Sequence, residues 1–116
     1  MDTKHVVTNY HNAWTSGNME AARVYLADDL DFQVSIDTFH RADYFIAALT
    51  MFQNMIRKIN LIQSFFSESC AALLYDCDTM SPAGVLRTAE FFTVADGKIK
   101  SIRLVFDATE LRKLMG

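Results

Sequence analysis

Tyr10 and Trp14 stand four residues apart, so a helix carrying them would put a phenol and an indole on one face, set to hydrogen-bond or stack on a planar ligand. The same pair would serve equally as large core aromatics whose polar atoms find a partner. Glu90 is a carboxyl whose pKa would rise into the range of an acid–base catalyst if it were sequestered from water. Its surroundings depend on one turn. If Asp96-Gly97 closes a two-residue hairpin, Val94 faces Ile99, Phe92 faces Ser101 and Glu90 faces Arg103, an ordinary cross-strand charge pair. A longer connection would give Glu90 other neighbours and could turn it inward. Arg87 shares a face with Ala89 and Phe91, opposite Ile102, Leu104 and Phe106 in that register. On a concave surface it would bind an anion; otherwise its stem would reach along the rim. Asp37 and His40 fall in a short connection suited to a pocket mouth, where an imidazole can shuttle protons near neutrality. A solvated loop histidine is the plainer alternative. Tyr75 and Cys77 share a strand face and would line a cavity, pack, or form a subunit contact.

These residues need elements to position them. Thr3 to Ser16 is predicted as a helix, with Val6, Val7, Tyr10, Ala13 and Trp14 on one face and Gly17 as its stop. Asn18 can cap a second helix from Met19 to about Ala27, which Asp28-Asp29 closes. Leu30, Phe32, Val34 and Ile36 alternate with polar residues, the pattern of a half-buried strand. Arg41 to about Ile56 is the longest helical stretch, with Phe45, Leu49, Phe52 and Ile56 in one stripe. Strands are predicted near 59–67, 69–78, 84–95 and 98–106, with turns at Ser81-Pro82-Ala83-Gly84 and Asp96-Gly97. Asp107 and Glu110 have capping-box spacing ahead of a short terminal helix bearing Leu111, Leu114 and Met115. Helices early and consecutive strands late give an α+β domain, a strongly bent antiparallel sheet wrapped over one long helix and two shorter ones.

With 116 residues, 51% hydrophobic, one proline and four glycines, the chain has the size of one domain, residues 1–116, and the composition of a folded one. Residues 1–58 carry seven acids and five bases and residues 59–116 seven and six, so no basic stripe marks a nucleic-acid or membrane partner. The amino terminus has no apolar run of signal-peptide type, and the longest apolar run, Cys70 to Tyr75, is far short of the ~20 residues of a bilayer span. Cys70 and Cys77 lie in one strand about 23 Å apart at ~3.3 Å per residue and on opposite faces, which excludes a bridge. Reduced thiols fit the cytoplasm. His5, His11 and His40 are scattered, without HExxH or CxxC, so neither a metal site nor a cofactor is expected. The doublets Phe65-Phe66 and Phe91-Phe92 place aromatics on both sheet faces; one would pack on helices and the other is a candidate seat for a partner subunit.

The segments Asn9-Tyr10-His11-Asn12-Ala13-Trp14-Thr15-Ser16-Gly17-Asn18 and Ala89-Glu90-Phe91-Phe92-Thr93-Val94-Ala95-Asp96-Gly97-Lys98-Ile99, with the following Ser101 to Asp107, resemble the family called nuclear transport factor 2-like, SnoaL-like or ketosteroid-isomerase-like. The resemblance implies a cystatin-like cone. It implies less about chemistry, because the family includes isomerases, polyketide cyclases, dehydratases, epoxide hydrolases and non-catalytic modules. Set against the steroid isomerases, Tyr10 matches the oxyanion-hole phenol, eight positions before Asn18. The base position falls on Val34, which takes no proton, and the oxyanion-hole acid falls near Ala89, Glu90 or Phe91. Asp107 resembles the acid common at the end of the family's last strand. The resulting expectation is a homodimer through the sheet, with a pocket for a hydrophobic, oxygenated small molecule. Trp14, Val34, Phe52, Tyr75, Arg87, Leu104 and Phe106 would line that pocket. Any catalysis would be cofactor-independent proton transfer, with Glu90, Asp107 or His40 as the acid–base group and Tyr10 as hydrogen-bond donor. A non-catalytic binding or protein-interaction module is the competing expectation.

Overall fold

Asp2 opens the first helix by accepting a hydrogen bond from the His5 backbone N–H at 2.8 Å, and the helix runs over Thr3–Thr15 (α1). It ends in a Schellman motif: Gly17, at φ +86°, donates to the Trp14 carbonyl and Asn18 donates to that of Ala13. Asn18 in turn accepts from the Ala21 N–H and caps α2 (Met19–Val24), which ends three residues earlier than the sequence suggests. The chain is already extended at Leu26, because Leu26, Ala27 and Leu30 turn inward as part of β1 (Leu26–Val34). The computed structural model describes residues 2–34, 37–80, 82 and 84–106. Ser81 and Ala83 of the turn before β5, and the terminal helix expected after Asp107, lie outside them.

Where the sequence predicts only a short connection, a three-residue strand, β2 (Asp37–Phe39), pairs antiparallel with β1. After α3 (Ala42–Asn54) the chain enters β3 (Ile56–Phe66), β4 (Cys70–Thr79), β5 (Val85–Ala95) and β6 (Lys98–Phe106). The six strands form one curved, unclosed sheet in the order β2-β1-β6-β5-β4-β3. It is not wholly antiparallel: β1 lies parallel to β6, placing Val34 beside Leu104. A pair so far apart in sequence cannot be joined by a tight turn, and its direction is set by the elements between.

The two longer helices divide the sheet. The expectation of one long helix beneath it is corrected here, since α1 and α3 each have 13 residues. α1 packs on β3, β4, β5 and β6, whereas α3 packs on β1 and β2, where Phe45 meets Phe32 with ring centroids 4.3 Å apart. The alternation along β4 is regular. Ala71, Leu73, Tyr75, Cys77 and Thr79 are buried on the concave face, while Cys70 is exposed and both thiols are free.

Asp96-Gly97 does make the two-residue turn: both residues have positive φ, +55° and +73°, as a type I′ hairpin requires. The register beyond it differs from the expected one. Val94 faces Ile99, but Thr93 faces Ser101, so β6 carries one extra residue, Lys100, as a bulge. Every later pair moves by one. Phe91, not Glu90, faces Arg103, and Glu90 faces Leu104.

Candidate functional site

The bulge at Lys100 decides the chemistry of the concave face. With the register moved, Leu86, Thr88, Glu90, Phe92 and Val94 are the buried residues of β5, and Ile99 and Ile102 both point inward on β6. One row across the sheet reads Val34, Leu104, Glu90 and Leu73, and the next reads Phe106, Thr88 and Tyr75. Glu90 therefore sits in an apolar row, 2% exposed, with Tyr75 diagonal to it on the neighbouring strand. The Tyr75 hydroxyl donates a 2.8 Å hydrogen bond to Glu90 Oε1. Loss of water pushes the Glu90 carboxyl up to about 7, against the smaller opposing effect of that hydrogen bond.

α1 closes this row from the other side. Tyr10, His11 and Trp14 all face the sheet and are buried. Tyr10 stands edge-on to Phe92, centroids 6.0 Å apart. His11 lies between Trp14 and Tyr75, with centroids at 5.8 and 5.2 Å. Burial, with the Glu90 charge second, holds both Tyr10 and Tyr75 well above the usual phenol range, so both remain hydrogen-bond donors at neutral pH. Burial alone pushes the His11 imidazole down to about 4, keeping it neutral. Beside them Cys77 is pushed up to about 12, chiefly by burial, which makes its thiol inert. The Tyr10 hydroxyl, His11 Nδ1 and Trp14 Nε1 have no hydrogen-bond partner among the described residues. Orphaned polar atoms at such burial are uncommon in folded proteins, and here three stand on the buried face of α1.

The structure thus gathers Tyr10, Trp14, Tyr75 and Glu90 into one cluster, with Val34, Phe52, Leu104 and Phe106 half-buried and packed against the same core. It does not bring in Arg87 or His40. Arg87 is on the convex face, where its Nε and Nη2 bond Asp76 at 2.8 and 2.9 Å; three positions from Glu90, an odd separation, it faces away from it on a strand. His40 is exposed at the bend before α3, its Nδ1 3.6 Å from Asp31 Oδ1. Asp107 and the Asp37 side chain lie outside the described residues. His11 was missed as a site residue. Its signal was present: counting in threes and fours from Thr3 through Val7 reaches His11 and Trp14, on the buried stripe. Two surface depressions, of about 250 and 520 Å³, border the start of α1 and the Arg23–Lys98 corner, and neither includes a member of the cluster. Among the described residues, no group of acids, histidines and cysteines could hold a metal ion.

A family model of the SnoaL-like domain matches residues 7–102, most of the chain. The protein belongs to the SnoaL-like family. A solved structure from Kribbella flavida shares 27% identity with this SnoaL-like chain, at TM-score 0.89 and 96% coverage of this chain and 91% of that one. An NTF2-like protein of unknown function from Cytophaga hutchinsonii superposes at TM-score 0.83 with 17% identity, over 97% and 96% of the two chains. An epoxide hydrolase of M. tuberculosis superposes at TM-score 0.75 with 16% identity, over 94% and 85%. The last two likenesses show the fold alone. No curated protein matches the sequence. Relatives of this fold include enzymes, so the fold admits catalysis without choosing a reaction.

Proposed function

We propose that this SnoaL-like domain binds a hydrophobic, oxygenated small molecule between α1 and the β4–β5 part of the sheet and moves a proton on it without a cofactor. The observation that carries the reading is Glu90: a carboxyl 2% exposed, bonded to Tyr75, with a pKa of about 7. A group with that pKa exists in both protonation forms at neutral pH, the condition for general acid–base work. As a carboxylate it would take a proton from the carbon beside a ligand carbonyl. The C–H bond breaks, an O–H bond forms on Glu90, and the electron pair moves to the carbonyl oxygen, to which the Tyr10 hydroxyl would donate. Returning the proton to another carbon completes an isomerisation. Val34, on the same row but without a titratable group, takes no part beyond lining.

The test uses 2-tetralone, an enolisable ketone, in D2O, with deuterium uptake at carbon followed by NMR. Faster uptake with the parent than with Glu90→Gln or Tyr10→Phe is the expected result. Equal rates for all three proteins, with 2-tetralone still bound, would leave the non-catalytic module as the correct class.

That competing class draws support from the convex face. Phe65, Phe91 and Val105 are 62%, 48% and 56% exposed, and exposed apolar side chains grouped on one face are a feature of interaction surfaces. Its charges are matched in place, Arg87 with Asp76 and Arg103 with Asp31, so the strip does not repel its own copy. In either class we propose a second copy of this chain seated there. Sedimentation should give twice the mass of one chain, reduced to one by Phe91→Glu; a monomer at every concentration would refute it. No described helix is long and apolar enough to cross a membrane, and two free thiols support a cytoplasmic setting.

A further inference from the structure

β1 and β6 do not run evenly side by side. Leu26 lies beside Ile99, but the next pair is Asp31 with Ser101, so Ala27 to Leu30 of β1 stand against Lys100 alone. The alternation of β1 fails at the same place: Leu26 and Ala27 are both buried, then Asp28 and Asp29 are both exposed. Lys100 is also the extra residue opposite β5, and irregularities of this kind turn side chains out of the regular ladder. The depression of about 520 Å³ lies at this break, with Asp28 and Asp29 on its β1 wall, Lys98 and Lys100 on its β6 wall, and Val24 and Leu26 as an apolar part. Opposite charges thus face each other without meeting. Among the described residues no ion pair joins either acid to either lysine. Arg23 does not bridge the walls, because it braces one of them: it bonds Asp28 at 2.7 Å, Asp43 at 2.9 Å and the Leu26 carbonyl at 3.1 Å. Lys98 Nζ donates to the Val24 carbonyl, which steadies the other. The Arg23 hydrogen bond chiefly, and the Lys98 charge to a lesser extent, hold the Asp28 carboxyl below its ordinary 3.8, so the field of the lysine wall reaches the acidic one.

We propose that this break between β1 and β6 is a binding site for a small zwitterion, an aliphatic amino acid whose carboxylate meets Lys98 and Lys100 and whose ammonium meets Asp28 and Asp29. A lone carboxylate would be drawn by one wall and repelled by the other, and a lone amine the reverse; only a molecule with both charges gains from both walls. The aliphatic chain would lie on Val24, which is 58% exposed, and Leu26. The site is separate from the Glu90 cluster and stands or falls without it.

Three probes built on one carbon chain test this: norleucine, hexanoate, which lacks the ammonium, and pentylamine, which lacks the carboxylate. The readout is the backbone amide NMR spectrum of the nitrogen-15-labelled protein at neutral pH. Saturable shifts confined to residues 26–29 and 98–100, with norleucine bound at least about fivefold more tightly than either relative, are the expected result. Asp29→Asn and Lys100→Gln, both at exposed positions, should each weaken norleucine severalfold while the amides of Tyr75 and Glu90 keep their places, which verifies the fold. Affinity for hexanoate or pentylamine equal to that for norleucine overturns the requirement for both charges, and so does unchanged norleucine affinity in the two variants. No saturable shift at these residues, or shifts centred on Glu90 instead, overturns the site.

Discussion

Glu90 and His11 face one cluster from opposite walls, and burial perturbs them in opposite senses, so their contributions to stability should mask each other. Glu90 rises from its ordinary 4.5 to about 7, so between those values the folded protein holds a proton that the unfolded chain has released. Stability from this group is present below pH 4.5 and falls as pH rises towards 7. At ~1.4 kcal/mol per pH unit the loss is about 3 kcal/mol. His11 falls from 6.5 to about 4, so in that interval the unfolded chain holds the extra proton and stability rises with pH, again by about 3 kcal/mol. From pH 4.5 to 6.5 the two slopes cancel. Asp28 and Asp76, whose carboxyls are held below the ordinary 3.8 by Arg23 and Arg87, act only at more acid pH. Urea unfolding followed by Trp14 fluorescence at half-unit pH steps should show a nearly level parent between pH 4.5 and 6.5. Glu90→Gln should expose the histidine, gaining about 3 kcal/mol from pH 4 to 6.5. His11→Phe should expose the carboxyl, losing a similar amount from pH 4.5 to 7. Three parallel curves would show that burial does not perturb the two groups as described.

Tyr75→Phe removes a hydrogen bond that holds the Glu90 carboxyl down, so its midpoint, read by carbon-13 NMR of the carboxyl, should move above about 7; a fall would refute the bond's role. Gly97→Ala, at φ +73° with open space around a new Cβ, should cost about 1–2 kcal/mol of backbone strain, seen as a lower urea midpoint with an unchanged slope. With Ellman's reagent at pH 8 the native protein should yield one thiol promptly, Cys70, and the second, Cys77, only in denaturant; two prompt thiols would contradict the burial of β4's inner face.

Much of the frame was legible because its signals are local. Gly17 and Asn18 mark the junction of two helices, Asp96-Gly97 closes its hairpin, and the alternation of β4 and β5 divides inner from outer residues. Glu90's neighbours were less so, since a hairpin turn sets register only as far as the first bulge. The clue lies in β6, where the inward apolar residues stand at 99, then 102, a gap of three in a pattern of two. Counting from the turn alone sends Glu90 to Arg103 and misplaces Arg87. The helix beneath the sheet was misjudged for another reason: α3 is the more apolar helix, but α1 supplies the wall because its stripe carries the bulky rings. The short β2 gave no signal, as three residues are too few to show a period.

The side-by-side alignment of the first strand with the last has a consequence for how the chain comes together during synthesis. β3 to β6 are consecutive hairpins whose partners are near in sequence, and such pairings form quickly. The Leu26–Ile99 and Gln33–Arg103 pairings instead span some seventy residues, and they must wait until β6 has left the ribosome. Until that late zippering, the amino-terminal third has no final strand to lie against, and the carboxyl on β5 has no settled aromatic wall opposite it. The proposed acid–base site should therefore be completed as the last step of folding, and substitutions along this seam should slow its arrival.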